Sequence, residues 1–126
     1  MDTTLQQRLD IFRSMLDVPD SAVDLVAEEL GRLDPAGQLS DEQAGMFVSH
    51  AVNALARLSR ADETVEGPAD VVYAQVLAED PSASDVAQAL AARVTSRFGR
   101  ALPEPELQYL TIHLAALRQH LSKENS

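Results

Sequence analysis

The sequence predicts an all-α fold, a compact helical bundle of about five helices plus an extra N-terminal helix. Three observations lead there. Apolar residues recur at three- and four-residue spacing between regularly placed Pro and Gly, which is the period of an amphipathic helix. No alternating apolar–polar run lasts long enough to demand a sheet. Hydrophobic residues fill 45% of the 126 positions but aromatics only 4%, and Trp is absent, a mixture that suits helices packed at close range.

The elements follow in order. A leading helix is expected over Thr3–Leu16, with Leu5, Leu9, Phe12 and Leu16 on one stripe. Pro19 separates it from a second helix over Asp20–Leu33, with Ser21 beside its start and Gly31 near its end. After Pro35-Ala36-Gly37, Ser40 is a suitable N-cap with Gln43 three residues on, and a third helix runs to Arg60. Gly67-Pro68 precedes a fourth over Ala69–Ala78. A fifth begins near Ser82 or Ser84 and stops at Phe98-Gly99. The last starts at Pro103, where a missing N–H is harmless, and reaches Leu121. Residues 1–18 are read as an N-terminal extension, 19–122 as one helical domain and 123–126 as a disordered tail.

Composition narrows the function. The chain carries 20 acidic and 10 basic residues, a net charge of −10, so a nucleic-acid backbone is repelled and direct nucleic-acid binding is not expected. No basic stripe with interleaved aromatics offsets that field. There is no cysteine, which removes disulfides and thiolate metal sites and fits a reducing, cytoplasmic setting. The beginning, Met1-Asp2-Thr3-Thr4-Leu5, lacks the pattern of a signal peptide, and no apolar run suggests a membrane span.

Two of the three histidines lie in the most strongly patterned helices. In the third helix Phe47, Ala51, Leu55 and Leu58 form the apolar stripe, with Ala44 and Val48 beside it; His50 lies off its centre. Arg57, two helical turns on, shares the flank of His50. The last helix repeats the arrangement. Leu107, Leu110, Leu114, Leu117 and Leu121 make its stripe and His113 sits at the edge. Each helix therefore presents a histidine at the boundary between core and solvent. Tyr109 and Ile112 lie away from the leucine stripe, so the last helix is apolar on more than one side and requires cover on both.

The segment from Phe47 to Leu58, with His50 followed seven residues later by Arg57, resembles the first histidine motif of the PTS regulation domain. The segment from Leu102 to Leu114, with Pro103, Glu106, the Tyr109-Leu110 pair and His113-Leu114, is similar to the second. Their order and separation also fit, and the likeness covers Asp20 to Leu121. The resemblance implies a helical bundle that pairs as a homodimer. His50 and His113 would then be phosphoacceptors for a phosphocarrier protein of the sugar phosphotransferase system, with Arg57 and Glu106 at the motif's arginine and glutamate. It implies a cytoplasmic regulator rather than an enzyme, without cofactor. The chain departs from the family in carrying a single copy, no nucleic-acid-binding domain, and Gly67 before Pro68 where asparagine is common. It would therefore regulate through a partner protein.

The chemistry suits those residues. A neutral imidazole is a good nucleophile near pH 7. Phosphoryl transfer asks of its acceptor mainly an in-line approach with positive charge nearby, which Arg57 supplies. The alternative is a helical interaction or scaffold protein that has lost phosphoryl chemistry, in which case both histidines are structural. His120 reads as a helix-end histidine favoured by the dipole, and Arg97 and Arg100 likewise serve the end of the fifth helix. Asp62-Glu63 and Glu66 read as a solvated loop. Ser49 and His50 are adjacent on a helix and diverge by about 100°, so they do not form a nucleophile–base pair. His113 and His120 are roughly 10 Å apart along the helix, too far to share a metal ion.

Overall fold

The computed structural model describes residues 1–61 and 67–124. Asp62, Glu63 and Glu66 lie outside the described residues. Six helices make up the described structure: α1 (Thr3–Arg13), α2 (Asp20–Leu33), α3 (Asp41–Ser59), α4 (Asp70–Glu79), α5 (Pro81–Phe98) and α6 (Glu104–Glu124). There is no strand among the described residues. The all-α bundle is thus as expected.

Helix boundaries follow local chemistry. Ser40 and Gln43 form a reciprocal capping box at the start of α3: Gln43 N–H donates to Ser40 Oγ at 3.2 Å, and Ser40 N–H donates to Gln43 Oε1 at 3.0 Å. Two orphan amides are satisfied at once. The Ser40→Ala variant is expected to lose about 1 kcal/mol, measured as a lower urea midpoint with an unchanged slope. Gly99 closes α5 in the left-handed region, at φ 73°. Asp34 ends α2, and its carboxylate accepts the N–H groups of Gln38 and Leu39, fixing the loop into α3.

Several boundaries differ from expectation. Helix α1 stops at Arg13, and Leu16 is fully exposed while Val18 enters the core instead. Once the helix breaks, the periodic stripe no longer predicts which side chain turns inward. Helix α5 begins at Pro81, which needs no N–H partner at a first helical position. Asp80 alone separates it from α4. Helix α6 begins one residue after Pro103, whose carbonyl accepts from Leu107 N–H. It also continues through Ser122 and Lys123 to Glu124, beyond the expected end; Asn125 and Ser126 lie outside the described residues.

Helix α3 is the central element, packed against α1, α2 and α6, while α6 also packs against α4 and α5. Their leucine and alanine stripes meet, so Phe47, Ala51, Leu55, Leu110, Leu114 and Leu117 share one core. Helix α2 adds Ala22, Val23, Leu25, Val26 and Leu30, and α5 adds Ala87, Leu90 and Val94. Helix α1, set apart in the sequence reading as an extension, places Leu5 and Leu9 in that core. Arg8 locks it there, with Nε and Nη2 on the two Asp41 carboxylate oxygens at 2.7 and 2.8 Å. Gly45 lies beneath this guanidinium, where an added Cβ would come within 2.8 Å of Arg8 Nη2.

The second apolar side of α6 is only partly covered by its own bundle. Tyr109 and Ile112 are both half-buried. Exposed apolar side chains include Val71 and Val72 of α4, which contributes no buried residue, and Ile11, Leu16 and Met46 elsewhere. No helix among the described residues is long and apolar enough to cross a membrane.

Candidate functional site

The packing of α3 against α6 brings the four motif residues together. His50 lies midway along α3 and Arg57 in its last turn; Glu106 occupies the first turn of α6, with His113 two turns further on. The His50 and His113 rings have centroids 5.2 Å apart, and the Tyr109 ring lies at the same distance from His50. Both histidines are half-buried, as their places at the stripe edges predict.

The burial of Glu106 is the unexpected feature. A glutamate in a first helical turn ordinarily faces water and complements the dipole. Here its side chain is only 2% exposed. The cause is the docking of α6 on α3, which turns Glu106 toward the flank carrying His50 and Arg57. Arg57 Nη2 donates to Glu106 Oε1 at 2.8 Å. His50 Nε2 comes within 3.7 Å of Glu106 Oε2, an electrostatic approach too long for a hydrogen bond. Three atoms in this cluster are buried with no hydrogen-bond partner: His50 Nε2, Glu106 Oε2 and Arg57 Nε. Buried polar atoms are nearly always satisfied, so three orphans in one place mark a site with unused hydrogen-bonding capacity.

Charge in the site is tuned accordingly. Burial pushes the Glu106 carboxyl upward, but the neighbouring His50 imidazole and the Arg57 guanidinium outweigh it and hold it below its ordinary value. His113 is held below the ordinary imidazole value, first by burial and then by the charge on His50. Acid therefore finds a site that resists protonation. Since the folded chain binds a proton at His113 more weakly than the unfolded chain, this group makes stability fall as pH drops below 6.5 toward its folded value. Expected is a lower urea midpoint at about pH 5.5 than at about pH 7.5, with a smaller decrease in His113→Gln.

Other residues singled out in the sequence lie elsewhere. Ser49 Oγ accepts from Arg8 Nη1 at 2.9 Å, on the α1 side of α3, so it stands apart from His50 chemistry as expected. Arg97 lies in the last turn of α5, as expected, and there also pairs with Glu28 of α2. Arg100 is exposed and His120 half-buried. Among the described residues, no group of three or more metal-ligating side chains is placed to hold an ion. Sequence reasoning missed the burial of Glu106 and the Tyr109–His50 contact; the spacing of Glu106, Tyr109 and His113 on successive turns is the signal that places them on one face. It also missed the cross-helix pair of Arg93 with the buried Glu29. No protein-family model matches this chain, and no curated protein or solved structure matches it significantly.

Proposed function

We propose that this chain is a phosphorylation-responsive regulatory domain of the PTS regulation type. His50 and His113 accept phosphoryl groups from a phosphocarrier protein or a sugar-transporter phosphotransfer component. The domain acts in the cytoplasm as a homodimer, on a partner protein and not as an enzyme. The observation that carries this reading is the meeting of two half-buried histidines, 5.2 Å apart, beside a buried Arg57–Glu106 pair. Burial and the neighbouring His50 hold His113 below the ordinary imidazole value. A neutral ring is the nucleophilic form that a phosphoacceptor requires.

The same geometry supplies a response. A phosphoryl group adds about −1.5 to −2 charge. Arg57 already neutralises Glu106 and has an unpaired Nε donor in reserve. The new phosphate and Glu106 then compete for one guanidinium, which loosens the contact of α3 with the start of α6. Incubation with phosphorylated phosphocarrier protein, followed by intact-mass measurement, tests the reading; a gain of up to two phosphoryl groups supports it.

The second reading is an interaction scaffold without phosphoryl chemistry. The exposed Val71 and Val72 on a helix with no buried residue favour it. No mass gain, together with self-association in sedimentation equilibrium, would make the scaffold the better account.

A further inference from the structure

We infer that Glu106 is a positioning residue for His50: it keeps the ring proton on Nε2, so that Nδ1 is the nucleophile that receives the phosphoryl group. The inference rests on the phosphoacceptor reading and goes beyond it by assigning the reacting atom and the group that selects it.

The two ring nitrogens of His50 stand in different surroundings. Nε2 is buried, has no hydrogen-bond partner, and lies 3.7 Å from an equally buried and unpartnered carboxylate oxygen. Nδ1 makes no hydrogen bond among the described residues and is not one of the buried unpaired atoms, so on a side chain that is 24% exposed it is the ring nitrogen with access to solvent. A lone pair on Nε2 would face a carboxylate that is held in its charged form, which is repulsive. A proton on Nε2 turns the same approach into attraction. The carboxylate thus selects the Nε2–H tautomer, and the lone pair falls on Nδ1. The rings of Tyr109 and His113 both lie 5.2 Å from that of His50, on the face that α6 turns toward α3.

The transfer step balances in this arrangement. The Nδ1 lone pair forms the new P–N bond. The P–N bond of the donor phosphohistidine breaks, and its electron pair returns to the donor ring. A donor ring protonated on its other nitrogen leaves as neutral imidazole. The His50 proton stays on Nε2, and the positive charge that appears on the ring faces Glu106. A carboxylate that orients a histidine and stabilises its cation is a recurring device in acyl transfer. Arg57, bonded to the other oxygen, keeps Glu106 ionised for this task.

The test reads nitrogen, not activity alone. Histidine-selective 15N labelling and long-range 1H–15N spectra of the full chain at about pH 8 report the tautomer of neutral imidazoles. The unmodified protein should show His50 as a single Nε2–H form. Glu106→Leu should show averaged tautomers, and Glu106→Gln, which keeps an acceptor oxygen, should restore the single form. After phosphotransfer, 31P–15N coupling should place phosphorus on His50 Nδ1. Glu106→Leu should be labelled more slowly by about tenfold or more. An averaged or Nδ1–H tautomer in the unmodified protein, or phosphorus on Nε2, would overturn the proposal. The tautomer of the unmodified chain is measured before any transfer and needs no variant to fold. An Nε2–H form with no labelling by any carrier would therefore overturn the phosphoacceptor reading alone, while the positioning by Glu106 stands.

Discussion

Complete loss of phosphoryl label is expected in the double variant His50→Ala/His113→Ala. The two rings lie 5.2 Å apart, so a carrier docked to reach one is close to the other. Each single variant should therefore retain up to one phosphoryl group, and only removal of both imidazoles should abolish the mass gain. His120 provides the internal control. It lies two turns beyond His113 on α6 and is absent from the ring contacts of His50. Undiminished labelling of the double variant would transfer the chemistry to His120 or to another residue type. Circular dichroism should show the helical content of both single variants unchanged, because each histidine lies at the rim of the core.

Arg57→Ala should be the more damaging substitution for stability, with a loss of about 3 kcal/mol. The variant leaves Glu106 buried with neither oxygen hydrogen-bonded, since Oε2 already lacks a partner. Removing one member of a buried pair commonly costs about 3–5 kcal/mol. The lower end applies because Arg57 is 28% exposed and His50 remains 3.7 Å away. Replacing both partners, in Arg57→Leu/Glu106→Leu, should return most of the loss, because no buried charge is then left unpaired. Urea titrations of the two single variants and the double variant form the required cycle. A loss from Arg57→Ala that the double variant does not relieve would show that the guanidinium acts through packing. The acid limb supplies an independent check. The folded Glu106 carboxyl lies below its ordinary value of 4.5, so its stabilisation is present above that pH and fades as pH falls through the folded value. That fading should be absent in the double variant.

These outcomes rest on features that differ in how far the chain alone discloses them. The bounds of α2 and the capping box of α3 were legible because Pro19, Ser40, Gln43 and Gly99 act on backbone groups within a few residues. The stripes of α3 and α6 were legible because periodicity follows from a single helix. The same periodicity put His50 and His113 at the rim, where the structure has them. Ion pairs across helices were not legible. Glu29 with Arg93, and Glu106 with Arg57, join residues far apart in sequence, and nothing local distinguishes these glutamates from solvated ones. Leu16 and Val18 changed places because a stripe ends with its helix. Helix α4 shows the converse. Its valines and leucine suggest burial, yet exposure depends on which neighbours reach it, and among the described residues it packs chiefly against α5 and α6.

That last arrangement bears on how the molecule opens. Local unfolding needs little free energy where few apolar groups leave water. Helix α4 places none of its residues in the core, so it can unwind while the stripes of α3 and α6 remain joined. Its amides are expected to be among the least protected in hydrogen exchange, well apart from those of Phe47 to Leu58. Asp80, which Arg118 of α6 holds at 2.9 Å, marks where such an opening would halt, at the first turn of α5. Helix α4 is thus the element on which the core depends least.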